Sequence, residues 1–315
     1  MTDVSAVPPF RFGVQIARTR PLAEWIAAGQ RAEALGYDVF LMPDHFGAQL
    51  GIMPALAMIA AHTSTIRLGT LVLQNDLRHP ALLMKDVATL DILSEGRVEL
   101  GIGAGGSFPP DFRWTGIPFD PPGTRVSRLE ETVRVLKGLA TEGPFSFSGT
   151  FFTFDAYEAW PKPLQHPVPL LIGGGGPRML RLAARDADIV ALLPSMKPEG
   201  GVFGDDIGMD AFAEKAAYVR SVAGDRGGRL EFNILVQQLV ITEDAEAEIA
   251  RLMAEQEMDD RTWFDSPMVF VGTVEEIAAK VRRVRDVVGV SYFVVFEPMM
   301  EDFAQVIVHL RGDPA

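Results

Sequence analysis

The sequence predicts an α/β fold: a (β/α)8 TIM barrel with insertions after strands four and six and a small hairpin insert, forming one domain over residues 1–315. Strand-like and helix-like apolar patterns alternate from one end of the chain to the other, and eight strand segments emerge from that alternation. The main structural alternative, a doubly wound open sheet, would carry a glycine fingerprint after its first strand, and none stands there. The 22 prolines and 30 glycines are dispersed, so no low-complexity linker divides the chain, and a barrel of this length is routinely one domain.

Taken in order, residues 12–16 read as the first strand and 21–35 as a helix that Gly36 ends. Residues 38–42 form strand two, followed by a helix at 54–62, strand three at 66–73 and a helix from about Pro80 to Leu93. Strand four occupies 97–102, and a long amphipathic helix occupies 125–140. Strands five (170–172) and six (189–193) flank a helix at 177–185. Residues 232–241 supply strand seven and 291–296 strand eight, with a helix at 274–287 between them. Three connections exceed ordinary loop length, at 104–124, 143–169 and 194–209. The first and third follow strands four and six and so belong to the catalytic face of a barrel. The second repeats phenylalanines around Ser148-Gly149, the pattern of a hairpin.

Composition excludes several classes. There is no cysteine, which removes disulfides, thiolate metal sites and a cysteine nucleophile, and which agrees with a cytoplasmic protein. The 42 acidic residues outnumber 29 basic ones, for a net charge of −13, so a nucleic-acid partner is not expected. Residues 1–10 lack the basic and apolar regions of a signal peptide, and no apolar run reaches membrane-spanning length, so no membrane partner is expected. The expected partner is a small-molecule substrate, with self-association left open.

One segment carries most of the functional information. Leu170-Leu171-Ile172 leads into Gly173-Gly174-Gly175-Gly176, and Pro177 then opens a helix. Proline suits the first helical position because its missing N–H would be unpaired there. Glycines allow a close approach to the backbone, and the following helix contributes unpaired N–H groups and the positive end of its dipole. Such a junction cradles phosphate. The same residues also suit a tight strand-to-helix turn without a ligand.

Barrel enzymes place reactive groups at the C-terminal ends of strands. Strand two ends in Met42-Pro43-Asp44-His45-Phe46, which offers an acid and an imidazole together, so His45 and Asp44 are the candidate catalytic residues. Asp44 also suits a helix cap or a turn. Strand three runs through Thr70, Leu71 and Val72, and strand four ends in Gly101-Ile102-Gly103-Ala104-Gly105-Gly106, with no acid or base. Smooth strand ends beside an anion-binding turn fit a broad, flat cofactor with a phosphate tail. His62, His79, His166 and His309 fall at helix ends, in a proline-rich loop and in the last helix, and read as structural. No His-x-His stands on strand one, and Glu297 lacks a partner carboxylate at the end of strand four, which disfavours metal hydrolysis and glycoside cleavage.

With these residues assembled, the chain resembles the luciferase-like flavin and deazaflavin oxidoreductases, and most of all their members that use coenzyme F420. The resemblance rests on 38–46, on 66–80 with Leu68-Gly69-Thr70 and His79-Pro80, and on Ser94-Glu95-Gly96-Arg97 through Gly106. It continues through 171–177 and the late Val271-Gly272-Thr273-Val274-Glu275-Glu276-Ile277. It implies that His45 stands beside the reactive ring with Asp44 preceding it, and that Leu71–Val72 is a non-prolyl cis peptide at the ring's rear face. Thr70, Gly105 and Gly106 join the cofactor's surroundings, and Gly174, Gly175 and Gly176 form the phosphate turn. The implied activity is hydride transfer between F420 and a small organic substrate. The alternative is an FMN-dependent monooxygenase fed reduced flavin by a separate reductase, and a barrel that binds without turnover is a third reading. Gly106 and Gln49 replace the glutamate and the aromatic residue of the family's sugar-phosphate dehydrogenases, which argues against that substrate. Lys197 lies near the position of their phosphate-binding lysine but not on it.

Overall fold

The structure, a computed structural model, describes residues 8–105, 109–195, 204–258 and 260–312. Its elements in chain order are β1 (Arg11–Gln15), α1 (Leu22–Ala34), β2 (Val39–Met42), α2 (Ile52–Ala60), β3 (Arg67–Thr70) and β4 (Leu73–Gln74). There follow α3 (Pro80–Leu93), β5 (Val98–Gly103), α4 (Pro110–Thr115), α5 (Pro122–Ala140), β6 (Phe145–Ser148) and β7 (Thr153–Tyr157). Next come β8 (Leu170–Gly174), α6 (Pro177–Asp186), β9 (Ile189–Leu192), α7 (Met209–Ala223), β10 (Glu231–Leu235) and β11 (Gln238–Ile241). The chain ends with α8 (Ala245–Glu255), α9 (Thr262–Asp265), β12 (Val269–Gly272), α10 (Val274–Val288), β13 (Val290–Phe296) and α11 (Met300–Gly312).

The parallel strands run in the order β3-β2-β1-β13-β10-β9-β8-β5, and pairing of β3 with β5 closes the ring into the expected eight-stranded barrel. Side chains alternate across that wall, as period-two geometry requires. Val39, Leu41, Leu171, Ile189, Ala191, Tyr292 and Val294 fill the interior. Phe40, Met42, Leu68, Ile102, Ile172, Val190, Phe293 and Val295 point outward into the layer under the helices. Both faces of each strand are therefore dry, which is why these segments read as continuous apolar runs. Four of the helices, α3, α5, α6 and α4, begin with proline at their first positions.

The floor of the barrel is ionic. Arg11 reaches Glu231 at 2.6 Å and also pairs with Glu99, which accepts from Arg67 at 2.5 Å as well. Burial pushes the Glu231 carboxyl above its ordinary range, against the pull of Arg11.

The chain departs from expectation in three places. Expected strand three is broken after Thr70, and a two-residue strand, β4, resumes at Leu73 beside β5. Expected strand seven ends early: β10 belongs to the barrel, but Gln237 N–H turns to Met268 O, and β11 pairs with β12 outside it. β11 is thus the far end of expected strand seven, while β12, α8 and α9 occupy a stretch in which no elements are expected. The insertion after strand four holds a short helix, α4, while half of the insertion after strand six, residues 196–203, lies outside the described residues. The hairpin is present as antiparallel β6 and β7.

Candidate active site

Four neighbouring strands, β2, β3, β5 and β8, bring the expected site residues to one rim of the barrel, at their C-terminal ends. His45 follows β2, Leu71–Val72 follows β3, Gly105 follows β5, and Gly174–Gly176 end β8.

The Leu71–Val72 peptide is cis, as the resemblance implies. Leu71 N–H donates to Met42 O at 2.9 Å, and Leu71 O accepts from the Gln15 amide at 2.6 Å. The glycines of β5 make room for this bulge. A Cβ on Gly101 would lie 1.9 Å from Thr70 O, and one on Gly103 would lie 3.0 Å from Val72 Cγ2. A Cβ on Gly173 of β8 would lie 3.7 Å from Val72 Cγ1. Val72 therefore leans over two strands at the mouth. Part of the smoothness of strand four is thus demanded by the protein's own backbone and not by a ligand.

Thr70 is buried, and its hydroxyl is consumed within the wall, donating to Gly101 O at 2.7 Å and accepting from Gly101 N–H at 3.0 Å. Asp44 is likewise engaged. Its carboxylate accepts both terminal nitrogens of Arg78, at 2.5 and 3.0 Å, and the Gln74 N–H at 2.9 Å. Only 6 % of Asp44 is exposed, so the geometry gives it an anchoring role, nearer the structural alternative that its position also suits.

His45 meets an acid that the sequence reading does not single out. Asp111, on α4, is fully buried and sits with Oδ2 2.7 Å from His45 Nδ1. The same carboxylate accepts Phe46 N–H at 2.9 Å and the Gln74 amide at 2.9 Å, and that amide also donates to Asp44 O at 2.7 Å. Burial pushes the Asp111 carboxyl upward, but the donors from His45, Phe46 and Gln74 outweigh it and hold it below the usual carboxylate range. The sequence signal available was Pro109-Pro110-Asp111, a proline-led helix start with an acid in its first turn. Nothing local indicates a partner 66 residues away.

The glycine turn divides by role. A Cβ on Gly174 would sit 2.5 Å from Met179 Cβ, and one on Gly175 would sit 2.3 Å from Leu193 O and 2.5 Å from Pro194 C. Packing therefore leaves no room for a side chain at either position. Gly176 faces open space. It caps α6, which has no side-chain cap and no acid in its first turn, so the helix presents its N-terminal N–H groups and positive dipole end there. Arg178 points elsewhere, to Glu130 at 2.8 Å and Gly123 O at 3.0 Å. An anion fits at this turn. Gln74 Oε1, buried beside Gly105 without a hydrogen-bond partner, offers an acceptor. Gly105 has φ +69°, and its carbonyl, like that of Ala104, accepts from Arg125. Gly106 and Lys197 lie outside the described residues. No cluster of three or more potential metal ligands occurs among the described residues, and no helix among them is long and apolar enough to cross a membrane.

Comparison with known proteins agrees with this architecture. An F420-dependent glucose-6-phosphate dehydrogenase of Kineococcus radiotolerans is 31 % identical over 212 residues, 65 % of this chain and 59 % of that protein. An FMNH2-dependent dimethylsulfone monooxygenase of Pseudomonas putida is 32 % identical over 177 residues, 56 % of this chain and 45 % of that protein. The chain thus spans less than two thirds of the length of these curated relatives. The structure of a coenzyme F420 dependent tetrahydromethanopterin reductase from Methanopyrus kandleri superposes with a TM-score of 0.75 at 18 % identity, covering 96 % of this chain and 97 % of that one, a likeness of fold. The family model described as luciferase-like monooxygenase matches residues 2–264, and the chain belongs to that family.

Proposed function

We propose that this protein is an oxidoreductase that uses coenzyme F420, passing a hydride between the deazaflavin and a small organic substrate. The observation that carries the reading is His45, a partly exposed imidazole that follows β2 at the rim of the barrel with its Nδ1 2.7 Å from the buried Asp111 carboxylate. When bound, a deazaflavin supplies the carbon that gives or takes the hydride. The residues of the chain supply the remainder. The open N-terminus of α6 at Gly176 would hold the cofactor's phosphate, and partly buried Leu71 and Val72 would back its ring. His45 would exchange the proton that accompanies the hydride, the ordinary task of a positioned imidazole. Two curated relatives named as F420-dependent support the cofactor assignment. The substitutions at Gln49 and Gly106 argue against a sugar phosphate as substrate.

The test is a titration of the protein with oxidised F420 and, separately, with FMN, read by quenching of its 4 tryptophans. Saturable binding of F420, at least about tenfold tighter than FMN, is expected, a difference of about 1.4 kcal/mol. Tighter binding of FMN would overturn the proposal in favour of a flavin monooxygenase, and binding of neither would remove both.

A further inference from the structure

His45 is not simply an exposed imidazole on a loop. The insertion after β5 carries Asp111 over β3 and β4 to reach it, and buries the carboxylate completely in doing so. Acidic side chains are almost never fully buried unless paired. Here the carboxylate collects three donors from two other strand ends: His45 Nδ1 at 2.7 Å, Phe46 N–H at 2.9 Å and the Gln74 amide at 2.9 Å. Asp111 occupies the second position of α4, after Pro109-Pro110, so the helix start sets the backbone that delivers it. Next to it on the same helix, Phe112 is 1 % exposed and stacks near Phe119, with ring centroids 4.7 Å apart, and Arg125 lies 4.5 Å over the Phe119 ring. The helix is therefore pinned on its far side by aromatic packing and on its near side by the carboxylate.

We propose that Asp111 is the positioning residue of His45, fixing the imidazole in the tautomer that carries its hydrogen on Nδ1 and so making Nε2 the nitrogen that exchanges protons. This rests on the reading of His45 as the proton-exchanging group. An ionised carboxylate can only accept, so the ring nitrogen facing it must donate. A histidine's second nitrogen is set by the hydrogen bond that the first one makes. Phe46 N–H and the Gln74 amide keep Asp111 an acceptor, because each supplies it with another donor and lowers its affinity for a proton. Asp44 and Arg78 act one step further out: they hold the Gln74 backbone, and Gln74 in turn holds both acids. The imidazole is thus oriented before any substrate arrives, with a negative charge placed to stabilise it when it takes up a proton.

The tautomer is directly observable. In the protein labelled with nitrogen-15 histidine and held at alkaline pH, where imidazoles are neutral, the shifts of the two ring nitrogens report which one bears the hydrogen. His45→Asn, which lacks those signals, identifies them among the 5 histidines. A histidine without restraint favours the hydrogen on Nε2. The wild-type His45 spectrum is expected to show it on Nδ1, and Asp111→Asn, which can turn its own amide N–H toward Nδ1, is expected to lose that signature. A wild-type ring with its hydrogen on Nε2, or an Asp111→Asn spectrum identical to wild type, would overturn the proposal. If Asp111→Asn does not fold, the wild-type spectrum alone decides. Titrating the same labelled wild-type sample with F420 separates the two claims: failure to bind F420 removes the functional reading and leaves the tautomer result standing.

Discussion

Asp44 stands where a proton-exchanging acid would be sought, and its surroundings assign it another task that a stability measurement can separate. Its carboxylate accepts two nitrogens of Arg78 and the Gln74 N–H, with 7 % of the Asp44 side chain and 22 % of the Arg78 side chain exposed. Removing one partner of a fully buried pair costs about 3–5 kcal/mol, and an exposed pair is worth about 0–1 kcal/mol. This pair is buried at the acid and partly open at the guanidinium, so Asp44→Ala should destabilise by roughly 2–4 kcal/mol. At roughly 2 °C per kcal/mol for a large domain, the unfolding midpoint should fall by about 4–8 °C. Arg78→Lys keeps the charge but gives up the two-pronged contact, and should lose about half as much. The assay is thermal unfolding followed by circular dichroism, with F420 titration on the same samples. An Asp44→Ala protein that unfolds at the wild-type temperature would refute the anchoring role and return Asp44 to the chemistry.

Two further perturbations test the rim from other sides. Gly176→Val adds bulk where nothing stands within 4 Å, so the fold should persist while F420 binding weakens. Gly175→Ala drives a methyl into Leu193 O and Pro194, so it should instead lower the unfolding temperature, by about 1–3 kcal/mol of overpacking. The reverse pattern in calorimetry and titration would displace the phosphate from this turn. Asp206 accepts Ser195 N–H at 2.5 Å and pairs with Lys215; burial pushes its carboxyl up, but these partners hold it below the ordinary range. A folded-state value below the unfolded one means that the unfolded chain binds the proton more readily, so stability rises with pH through that window. The contribution is complete above the unfolded value of 3.8 and is lost as pH falls through the folded one. Denaturant titrations should therefore show wild type exceeding Asp206→Asn at neutral pH, with the gap closing in acid; a constant gap would refute the linkage.

How far the sequence could be read depended on how local each cause is. The barrel was legible because buried parallel strands must be apolar on both faces and because prolines mark the starts of α3 and α6, whereas α5 begins at Pro122, ahead of the expected Arg125. The late Thr273-Val274-Glu275-Glu276 stretch, one of the segments that carry the family resemblance, is a capping box: Thr273 accepts Glu276 N–H at 3.2 Å, and Glu276 accepts Thr273 N–H at 2.9 Å. Ser94 through Arg97 is architectural too, since Arg97 ties Ser94 O, Ile66 O and Ala60 O together beneath the barrel. Segments that identify the fold are therefore not all segments that perform chemistry. The break in strand three was legible only through resemblance, because no proline follows Leu71 and what accommodates it, Gly101 and Gly103, sits on a neighbouring strand.

The candidate site shows the same division more sharply. His45 was found because an imidazole at a strand end is a local fact. Asp111 was not, because its meaning arises only when the insertion after β5 folds back across two strands, and no periodicity encodes that return. Three of the residues expected to touch a ligand, Thr70, Gly174 and Gly175, also have contacts within the protein that call for them, with Gly101, Met179 and the Leu193-Pro194 backbone respectively. The proposed function therefore leans on the Gly176 end of α6, the Leu71–Val72 face, and His45 on its buried acid. That set has one group able to move a proton, one able to hold an anion and one apolar surface between them. Under the proposed reading, these are the groups a hydride-transferring cofactor would ask of the protein, because the cofactor itself carries the redox chemistry.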